Sequence, residues 1–346
     1  MTTQTRFFCT YFDSGYLTRG LALVESLRRH CPSFRLWIVC MDERAYESLQ
    51  GLNAPELTLV RLAEMEQWDG QLAAARANRS LMEFYFTCSP IVPLFVLKHA
   101  SEIDLLTYLD GDLYFFSPPD PVFEEIGDAD VGIIAHRFRP ALRHYEELGR
   151  YNVGFLSFRR SDEGLRCLSW WRERCLEWCH DRLEGDRYAD QKYLDRWPSL
   201  FKGVVELQQK GANLGPWNVA NYSITLRGDE VRIDEDPLVF FHFHGLKLVA
   251  PGVYNPQLRR YGTRPTPPVR KLIYQPYLQA LQRATRVAAS MSNGGAGASL
   301  RSIRGNGQAA RPGIGQRLRE TVMSVKKTVG HAYHGDLIYY LGDHVV

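Results

Sequence analysis

The chain has 346 residues, of which 45% are hydrophobic and 23% are charged, which is the composition of an ordinary globular protein, long enough for a large α/β domain and an appendage. Because residues 1–6 are polar, we expect no signal peptide. No window approaches the roughly 18 consecutive apolar residues of a membrane span. The net charge of +3 divides into −8 for residues 1–258 and +11 for residues 259–346, which predicts an anionic partner for the tail, a lipid surface rather than a nucleic acid.

The seven cysteines are scattered along the chain, and several lie in apolar strand or helix patterns. Cys175 and Cys179 are four residues apart on a predicted helix, but no further zinc ligands follow at a suitable spacing. This usage predicts reduced core thiols in a cytoplasmic protein.

Strand and helix patterns alternate through the first 258 residues. Apolar and β-branched runs predict strands at 6–12, 36–41, 57–62, 105–109, 131–135, 153–158, 204–207 and 238–244. Helical spacing of apolar residues predicts helices over 17–27, 94–99 and 168–178. The alternation predicts an α/β fold, a mostly parallel sheet with helices on both faces, and ligands would bind beyond the carboxyl ends of its strands.

The last part of the chain, residues 259–346, is predicted to be a linker and a basic helical tail. Three prolines in 264–268 indicate a linker, residues 272–289 have helical spacing, and 292–315 is rich in Gly, Ser and Ala, as flexible segments are. Basic and apolar residues interleave over 317–340. That pattern predicts either an amphipathic helix at a membrane surface or a helix that packs on the body or on a second subunit.

The strongest chemical signal is Asp110-Gly111-Asp112, which follows the apolar run 105–109. In extended backbone, residues i and i+2 point to the same side, and the glycine between them lets a ligand approach closely. Two such carboxylates suit a divalent cation, the partner that a pyrophosphate needs as a leaving group. An ordinary Asp-Gly turn is the alternative, but the apolar flanks are unlike those of a solvated hairpin.

Six segments follow one another in a fixed order, at 9–16 with 26–27, 108–112, 152–155, 190–194, 214–218 and 241–245. Together they resemble the GT-A-fold glycosyltransferases, most closely the glycosyltransferase family 8 group of retaining sugar transferases. The resemblance covers roughly residues 5–250. It implies a GT-A type, Rossmann-like fold and transfer of a hexose-type sugar from a nucleoside diphosphate, UDP first of all, to a glycan or glycolipid acceptor with retention of configuration.

The resemblance also implies a metal site. Mn²⁺, or Mg²⁺ less specifically, would be bound by Asp110, Asp112 and His242, with His244 as the second choice for the imidazole. Either histidine could instead be a hydrogen-bonded core residue.

Further residues receive roles, most of them from the same segments. Arg79 and Lys247 lie outside the segments and are predicted for the positive charge that they could bring to a diphosphate. Asp190 is placed by the donor sugar hydroxyls, Gln191 on the reacting face, and Asn152 where it orients sugar or acceptor. The predicted donor contacts are Thr10, Tyr11, Tyr16, Arg79, Asp110, Gly111, Asp112, Gly154, Trp217, Asn218, Gly245 and Lys247.

Several of these residues have plain structural alternatives. Asp190 could cap a helix, Trp217 could be a core aromatic rather than a sugar-stacking face, and Arg79 could lie on a solvated helix face. Thr10 and Tyr11 could face the core. Lys247 departs from the family pattern, because it follows His242 by five residues rather than six and no Pro-Trp follows it.

Two other functions remain open. A sugar-1-phosphate nucleotidyltransferase would want a Gly-rich basic loop after the first strand, where residues 10–20 offer only Gly15, Gly20 and Arg19. A non-catalytic sugar- or nucleotide-binding module of the same fold is the second. The expected location is the cytoplasm, at the inner face of the cell membrane, in lipopolysaccharide or polysaccharide synthesis, and the oligomeric state is open.

Overall fold

The structure, a computed structural model, describes residues 4–250, 252–291, 336–341 and 344–345. Its strands are β1 (Arg6–Phe12), β2 (Phe34–Cys40), β3 (Leu57–Arg61), β4 (Leu105–Leu109), β5 (Leu113–Phe115), β6 (Val131–Ala135), β7 (Tyr151–Arg159), β8 (Val204–Leu207), β9 (Ile224–Arg227), β10 (Glu230–Ile233), β11 (Asp236–Pro237), β12 (Phe240–His242), β13 (Lys247–Ala250), β14 (Val253–Asn255), β15 (Ile338–Leu341) and β16 (His344–Val345). Its α-helices are α1 (Leu17–His30), α2 (Glu43–Gln50), α3 (Leu62–Trp68), α4 (Gly70–Arg76), α5 (Leu81–His99), α6 (Asp120–Ile126), α7 (Asp162–Glu177), α8 (Trp197–Leu200) and α9 (Gln275–Met291). Shorter 3₁₀ helices lie at Pro140–Leu148, Lys192–Arg196, Val219–Asn221 and Leu258–Tyr261, and a π-helical segment at Val269–Tyr274 precedes α9.

Seven strands form the central sheet, in the order β3-β2-β1-β4-β7-β6-β8. Strands β1, β2, β3 and β4 are parallel to one another, as are β6 and β8, and β7 alone runs antiparallel to its neighbours β4 and β6. The predicted strands at β1, β4, β6 and β8 have the observed bounds, whereas the predicted strand 238–244 is shortened to β12.

Helices cover both faces of this sheet. Because successive side chains of a strand point to opposite faces, Cys9 and Phe8 enter different cores. One core lies between the sheet and helices α3, α4, α5 and α7, and the other between the sheet and α1, α2, α6 and α9. The predicted fold class, an α/β protein with a mostly parallel sheet and helices on both faces, is confirmed.

The carboxyl ends of β1 and β4 and the first residues of β7 meet at one edge of the sheet. Strand β7 runs opposite to β4, so the first residues of β7 lie beside the last residues of β4. The backbone N–H of Asp110 donates to the carbonyl of Gly154 at 3.0 Å. The strand order reverses between β1 and β4, and such a switch point is where open α/β sheets bind ligands.

Two short strands bring the second half of the chain to the same edge. Strand β5 follows Asp112 and pairs antiparallel with β12, with Leu113 opposite His242. The N–H of Phe243 donates to the carbonyl of Asp112 at 3.0 Å. This pairing joins two segments that are far apart in the sequence.

Part of the chain beyond residue 258 packs on the body. Helix α9 lies against α1 and buries Leu278 and Leu281 in a third core. Arg283 on α9 forms a salt bridge with Glu25 on α1 at 2.6 Å. The division into a 1–258 domain and a 259–346 tail stays a prediction, but α9 contributes to the core of the body.

The last apolar run of the chain is a strand rather than the continuation of a helix. Strand β15 pairs antiparallel with β14, with Ile338 opposite Tyr254, and Leu337 and Ile338 are buried. The helical prediction is wrong here because the open edge of β14 offers backbone hydrogen bonds, which an aromatic, β-branched run completes well. Residues 292–335, with the predicted flexible segment 292–315, lie outside the described residues.

Helix α5 is long and apolar enough to cross a membrane, judged by length and composition alone. The sequence criterion of about 18 consecutive apolar residues does not detect this helix. However, 67% of its apolar window is buried inside the protein, where the helix packs against α7, β1 and β4. It also contains Pro90 and Pro93. A core helix passes the same test, so α5 is weak grounds for a membrane assignment.

The packing of α9 predicts a difference between two substitutions on that helix. Leu281→Ala removes a fully buried side chain and should lower the free energy of unfolding by about 2–5 kcal/mol. Val287→Ala, at a position that is 39% exposed, should change it by no more than about 0.5 kcal/mol. Urea unfolding monitored by tryptophan fluorescence measures both, and equally small effects would mean that α9 is not part of the core.

Candidate active site

Two carboxylates and one imidazole converge at the edge where the strands end. Nε2 of His242 lies 3.1 Å from Oδ1 of Asp112 and 3.5 Å from Oδ2 of Asp110. One ligand atom from each of the three side chains lies within 4.8 Å of the other two. His242 and Asp112 are almost fully buried, whereas the Asp110 side chain keeps 31% of its surface exposed. The cluster is therefore open to solvent on the Asp110 side.

A glycine allows the histidine to come this close to the sheet. A Cβ built on Gly154 would lie 2.7 Å from Cε1 and Nδ1 of His242 and 2.8 Å from Oδ1 of Asn152. These distances are shorter than side-chain carbon atoms tolerate, so any larger residue at position 154 would displace the imidazole. The predicted Asn-Val-Gly segment thus contributes space as well as a side chain.

A buried arginine lies next to the Asp112 carboxylate. Arg19 on α1 is 7% exposed, its Nη1 lies 4.0 Å from Oδ2 of Asp112, and its guanidinium carbon lies 4.3 Å from the ring centroid of Tyr16. Arg19 also donates to the carbonyl of Leu246, in the loop that follows the histidines. The guanidinium therefore ties Asp112, α1 and that loop together.

Asp110 has a hydrogen-bond donor of its own. The hydroxyl of Tyr108, two residues earlier on β4, donates to Oδ1 of Asp110 at 2.7 Å. Each carboxylate is thus oriented by a neighbour that leaves another oxygen facing His242.

The pKa values reflect how strongly these groups constrain one another. Burial disfavours charge on His242, but the adjacent carboxylates outweigh burial and raise the pKa of its imidazole. Burial also disfavours charge on Asp112, yet His242 and Arg19 hold the pKa of that carboxyl well below its usual range. The site gathers positive charge to offset its carboxylates, which is what a bound divalent cation would also do.

The donor set fits such a cation. Two carboxylate groups and one imidazole form a mixed oxygen and nitrogen site that suits Mn²⁺, and Mg²⁺ less specifically. Within the part of the chain that the structure describes, no other group of three His, Cys, Asp or Glu side chains comes this close together. His244 lies outside the cluster, because β12 ends at His242, and the ring of His244 is 5.7 Å from that of His242.

The imidazole of His242 is connected to a second histidine through Asn152. Nδ1 of His242 lies 3.2 Å from Oδ1 of Asn152, and Nδ2 of Asn152 lies 3.1 Å from Nε2 of His136. All three side chains are buried, and burial lowers the pKa of His136 to about 3. Asn152, predicted to orient sugar or acceptor, has both polar atoms engaged inside the protein.

Asp190 is a buried carboxylate near this cluster. The N-cap residue of the 3₁₀ helix that follows is Gln191, and its side chain makes no capping hydrogen bond. Asp190 is therefore not the cap of this helix. Burial raises the pKa of Asp190 from 3.8 to about 7, and the negative charge of Asp110 adds to the rise. Gln191 is half-buried and donates to the carbonyl of Leu148 at 3.1 Å.

The predicted residues of the first strand divide between core and site. Thr10 is fully buried, which is the core placement that the sequence left open. Tyr11 is half-buried, and its hydroxyl donates to the carbonyl of Tyr85 at 2.7 Å. Tyr16 and Gly111 lie together: a Cβ on Gly111 would be 3.8 Å from the Tyr16 ring.

Arg79 lies away from the carboxylate cluster. Its guanidinium donates to the carbonyls of Cys175 and Leu176, both at 2.8 Å. These are acceptors of the last turn of α7, which lack partners within the helix. We assign Arg79 to this helix end instead of the predicted diphosphate contact.

Trp217 and Asn218 support the site from behind. Trp217 is 3% exposed and packs edge to face against His242, with 5.2 Å between ring centroids, so it is the core aromatic and has no open face for a sugar. Asn218 is fully buried and donates to the carbonyl of His136 at 2.9 Å. Both side chains make their contacts inside the protein, and their predicted contact with a donor stays a prediction.

The glycine and the lysine after the histidines lie in the next turn. Gly245 has φ +71°, a left-handed conformation that favours glycine. Lys247 is exposed at the start of β13, and its contact with a diphosphate stays a prediction.

Sequence reasoning missed two supporting residues, Arg19 and His136. His136 directly follows the apolar run of β6, as Asp110 follows that of β4, so the rule about strand ends could have found it. Arg19 had a weaker signal, a charged residue three positions after Tyr16 on a helix whose other face is apolar.

Comparison with known proteins finds relatives and similar folds. No protein-family model matches the chain. It is 34% identical over 283 residues to YfnD of Bacillus subtilis (strain 168), which covers 81% of this chain and 90% of YfnD. It is 34% identical over 257 residues to YfnF of the same strain, which covers 71% and 84% of the two chains.

Solved structures show a more distant likeness. The galactosyltransferase LgtC, crystallised with donor and acceptor sugar analogs, matches at 15% identity with a TM-score of 0.47, over 84% of this chain and 97% of LgtC.

The space at Gly154 gives a direct prediction. Gly154→Ala should lower the free energy of unfolding by about 1–3 kcal/mol, because its methyl group would overlap the His242 ring. Gly70→Ala is the control, since a Cβ there meets nothing within 4 Å, and it should leave stability nearly unchanged. If both variants melt like the wild type, the imidazole does not lie against β7.

The raised pKa of Asp190 predicts how stability depends on pH. In the unfolded chain this carboxyl ionises near 3.8, and in the folded protein near 7. The contribution of this raised pKa to the free energy of unfolding is therefore fully present below about pH 4 and is lost as the pH rises through 7. Asp190→Asn should remove this decline and become more stable than the wild type by on the order of 2–4 kcal/mol near pH 8.5.

Urea unfolding in EDTA between pH 5 and 8.5 measures this effect. The control is Asp186→Asn, at an exposed position of the same loop, which should follow the wild-type profile. Parallel profiles for Asp190→Asn and the wild type would show that Asp190 is not a buried acid.

Proposed function

The chain belongs to the family of the Bacillus subtilis proteins YfnD and YfnF, and we propose that it is a metal-dependent, GT-A-type nucleotide-sugar glycosyltransferase. The proposed donor is a UDP-hexose, the acceptor a glycan or glycolipid, and the transfer retains the anomeric configuration. The proposed cofactor is Mn²⁺, or Mg²⁺.

One observation carries this proposal: Asp110, Asp112 and His242 converge at the switch point of the sheet. Open α/β sheets bind ligands beyond their strand ends at this point. A donor set of hard oxygen atoms and one imidazole suits a cation that also binds phosphate oxygens. The six sequence segments that resemble the glycosyltransferases supply most of the residues around it.

The residues of this chain would divide the work as follows. Asp110, Asp112 and His242 would hold the cation, which when bound offsets the charge of the departing diphosphate. Tyr108 and Arg19 keep the two carboxylates oriented. The exposed side of Asp110 leaves the diphosphate a way in.

Asp190 and Gln191 are the proposed sugar-facing residues. Asp190 lies close enough to Asp110 for the charge of Asp110 to raise the pKa of Asp190. A donor sugar bound next to the cation would therefore lie near the Asp190 carboxylate. A carboxylate at this position can accept hydrogen bonds from sugar hydroxyl groups. Retention, the base, the sugar and the acceptor are part of the proposal.

The donor site can be tested by thermal shift and by donor hydrolysis. For the wild type we expect a rise in melting temperature with UDP that requires Mn²⁺, and slow release of UDP from UDP-hexoses. The double variant Asp110→Asn/Asp112→Asn should lose both responses. The variant Asp229→Asn, in the exposed turn between β9 and β10, should keep both.

The possible outcomes separate the proposal from its rivals. Metal-dependent binding of UDP without hydrolysis of any donor would favour a binding module of the same fold. Release of pyrophosphate from UTP and a sugar phosphate would favour a nucleotidyltransferase. No metal-dependent shift with any nucleotide would overturn the site itself.

The charge of the tail predicts binding to anionic membranes. The full chain should float with vesicles that contain phosphatidylglycerol and should bind less at high salt. A variant with Arg317, Arg319, Lys326 and Lys327 changed to Glu should remain in the soluble fraction. Equal flotation of the two proteins would exclude this basic segment as a lipid-binding element.

A further inference from the structure

A buried series of hydrogen bonds links His242, Asn152 and His136. A backbone donor at one point of this series fixes the orientation of the Asn152 amide. The backbone N–H of Gly154 can only donate, and it points at a side-chain atom of Asn152 at 3.0 Å. That atom must therefore be the amide oxygen Oδ1. The orientation of the Asn152 amide thus follows from the backbone of β7.

Two consequences follow from this orientation. The amide nitrogen of Asn152 faces Nε2 of His136 at 3.1 Å, so Nε2 must accept and the ring proton of neutral His136 must lie on Nδ1. Nδ1 in turn faces the carbonyl of Arg150 at 3.0 Å, which can only accept. The two ends of the His136 ring therefore require the same tautomer.

The same argument applies to the other side of Asn152. Oδ1 of Asn152 can only accept, so Nδ1 of His242 carries a proton. The remaining nitrogen, Nε2, is the atom that faces Asp110 and Asp112. In its neutral form His242 is then held with the Nε2 lone pair directed at the carboxylate cluster.

We infer that His136 and Asn152 are positioning residues that fix His242 in the Nδ1–H tautomer and so prepare Nε2 to bind a divalent cation. This inference rests on the proposed metal site and replaces the predicted contact of Asn152 with sugar or acceptor. Outer partners of this kind hold the orientation and the tautomer of metal-binding histidines.

Burial and ring stacking hold the hydrogen-bonded side chains of Asn152 and His136 in place. Asn152 and His136 are each 6% exposed. The His136 ring is stacked on Phe138 with 4.8 Å between centroids and meets the edge of Trp217 at 5.1 Å. Water therefore has little access to compete for these bonds, and the rings cannot rotate without repacking.

Two variants of His136 isolate the hydrogen bond from the packing. His136→Phe keeps an aromatic ring between Phe138 and Trp217 but removes the acceptor for the Asn152 amide. His136→Gln keeps an acceptor. We expect the dissociation constant for Mn²⁺ to rise about tenfold in His136→Phe and by no more than about twofold in His136→Gln.

Mn²⁺ binding is measured by electron paramagnetic resonance on the full chain, with and without UDP, and urea unfolding of each variant is run in parallel. A purely structural role would lower the stability of His136→Phe and leave the Mn²⁺ affinity of the folded protein unchanged. That result would overturn the inference while the proposed function stands. Absence of Mn²⁺ binding in the wild type would overturn both.

A second measurement needs no folded variant. Long-range ¹H–¹⁵N spectra of ¹⁵N-histidine-labelled, metal-free wild type report which ring nitrogen of neutral His136 carries the proton. The Nδ1–H tautomer supports the inference. The Nε2–H tautomer would overturn it, because Asn152 could then not present its oxygen to His242.

Discussion

The candidate site depends on one electrostatic constraint, the placement of two carboxylates against a buried imidazole. Asp110 and Asp112 lie two residues apart at the turn between β4 and β5, where the N–H of Leu113 donates to the carbonyl of Asp110 at 3.2 Å, so the backbone is the Asp-Gly turn and not the extended form that the spacing predicts. His242 reaches both carboxylates with the same nitrogen. Like charges this close are unfavourable in a dry environment unless a positive group lies between or beside them. The raised pKa of His242 and the position of Arg19 are the response of the protein to that constraint.

Most of the surrounding structure serves to hold this arrangement. The antiparallel direction of β7 brings Asn152 and Gly154 to the edge where β4 ends, and Gly154 leaves space for the imidazole. The pairing of β5 with β12 joins Asp112 to His242 through adjacent backbone. Without either feature, the ligand atoms would belong to separate parts of the surface.

The C-terminal helix reinforces the same region. Tyr277 on α9 is fully buried and stacked on Phe243, the residue between His242 and His244, with 3.6 Å between ring centroids. Aromatic pairs of this kind stabilise a fold beyond the area they bury. Helix α9 therefore belongs to the body that supports the site, although composition alone groups it with the basic tail.

The sequence by itself determined the α/β fold class, the bounds of strands such as β4 and β6, and the position of Asp110 and Asp112 just after β4, because these depend on local periodicity and on where a strand ends. Only the tertiary structure decided between His242 and His244, moved Arg79 to the end of α7, buried Trp217 and turned Asn152 inward. It also made the segment at Ile338 a strand. These outcomes depend on which distant segment lies next to a residue, and local spacing carries no information about that neighbour.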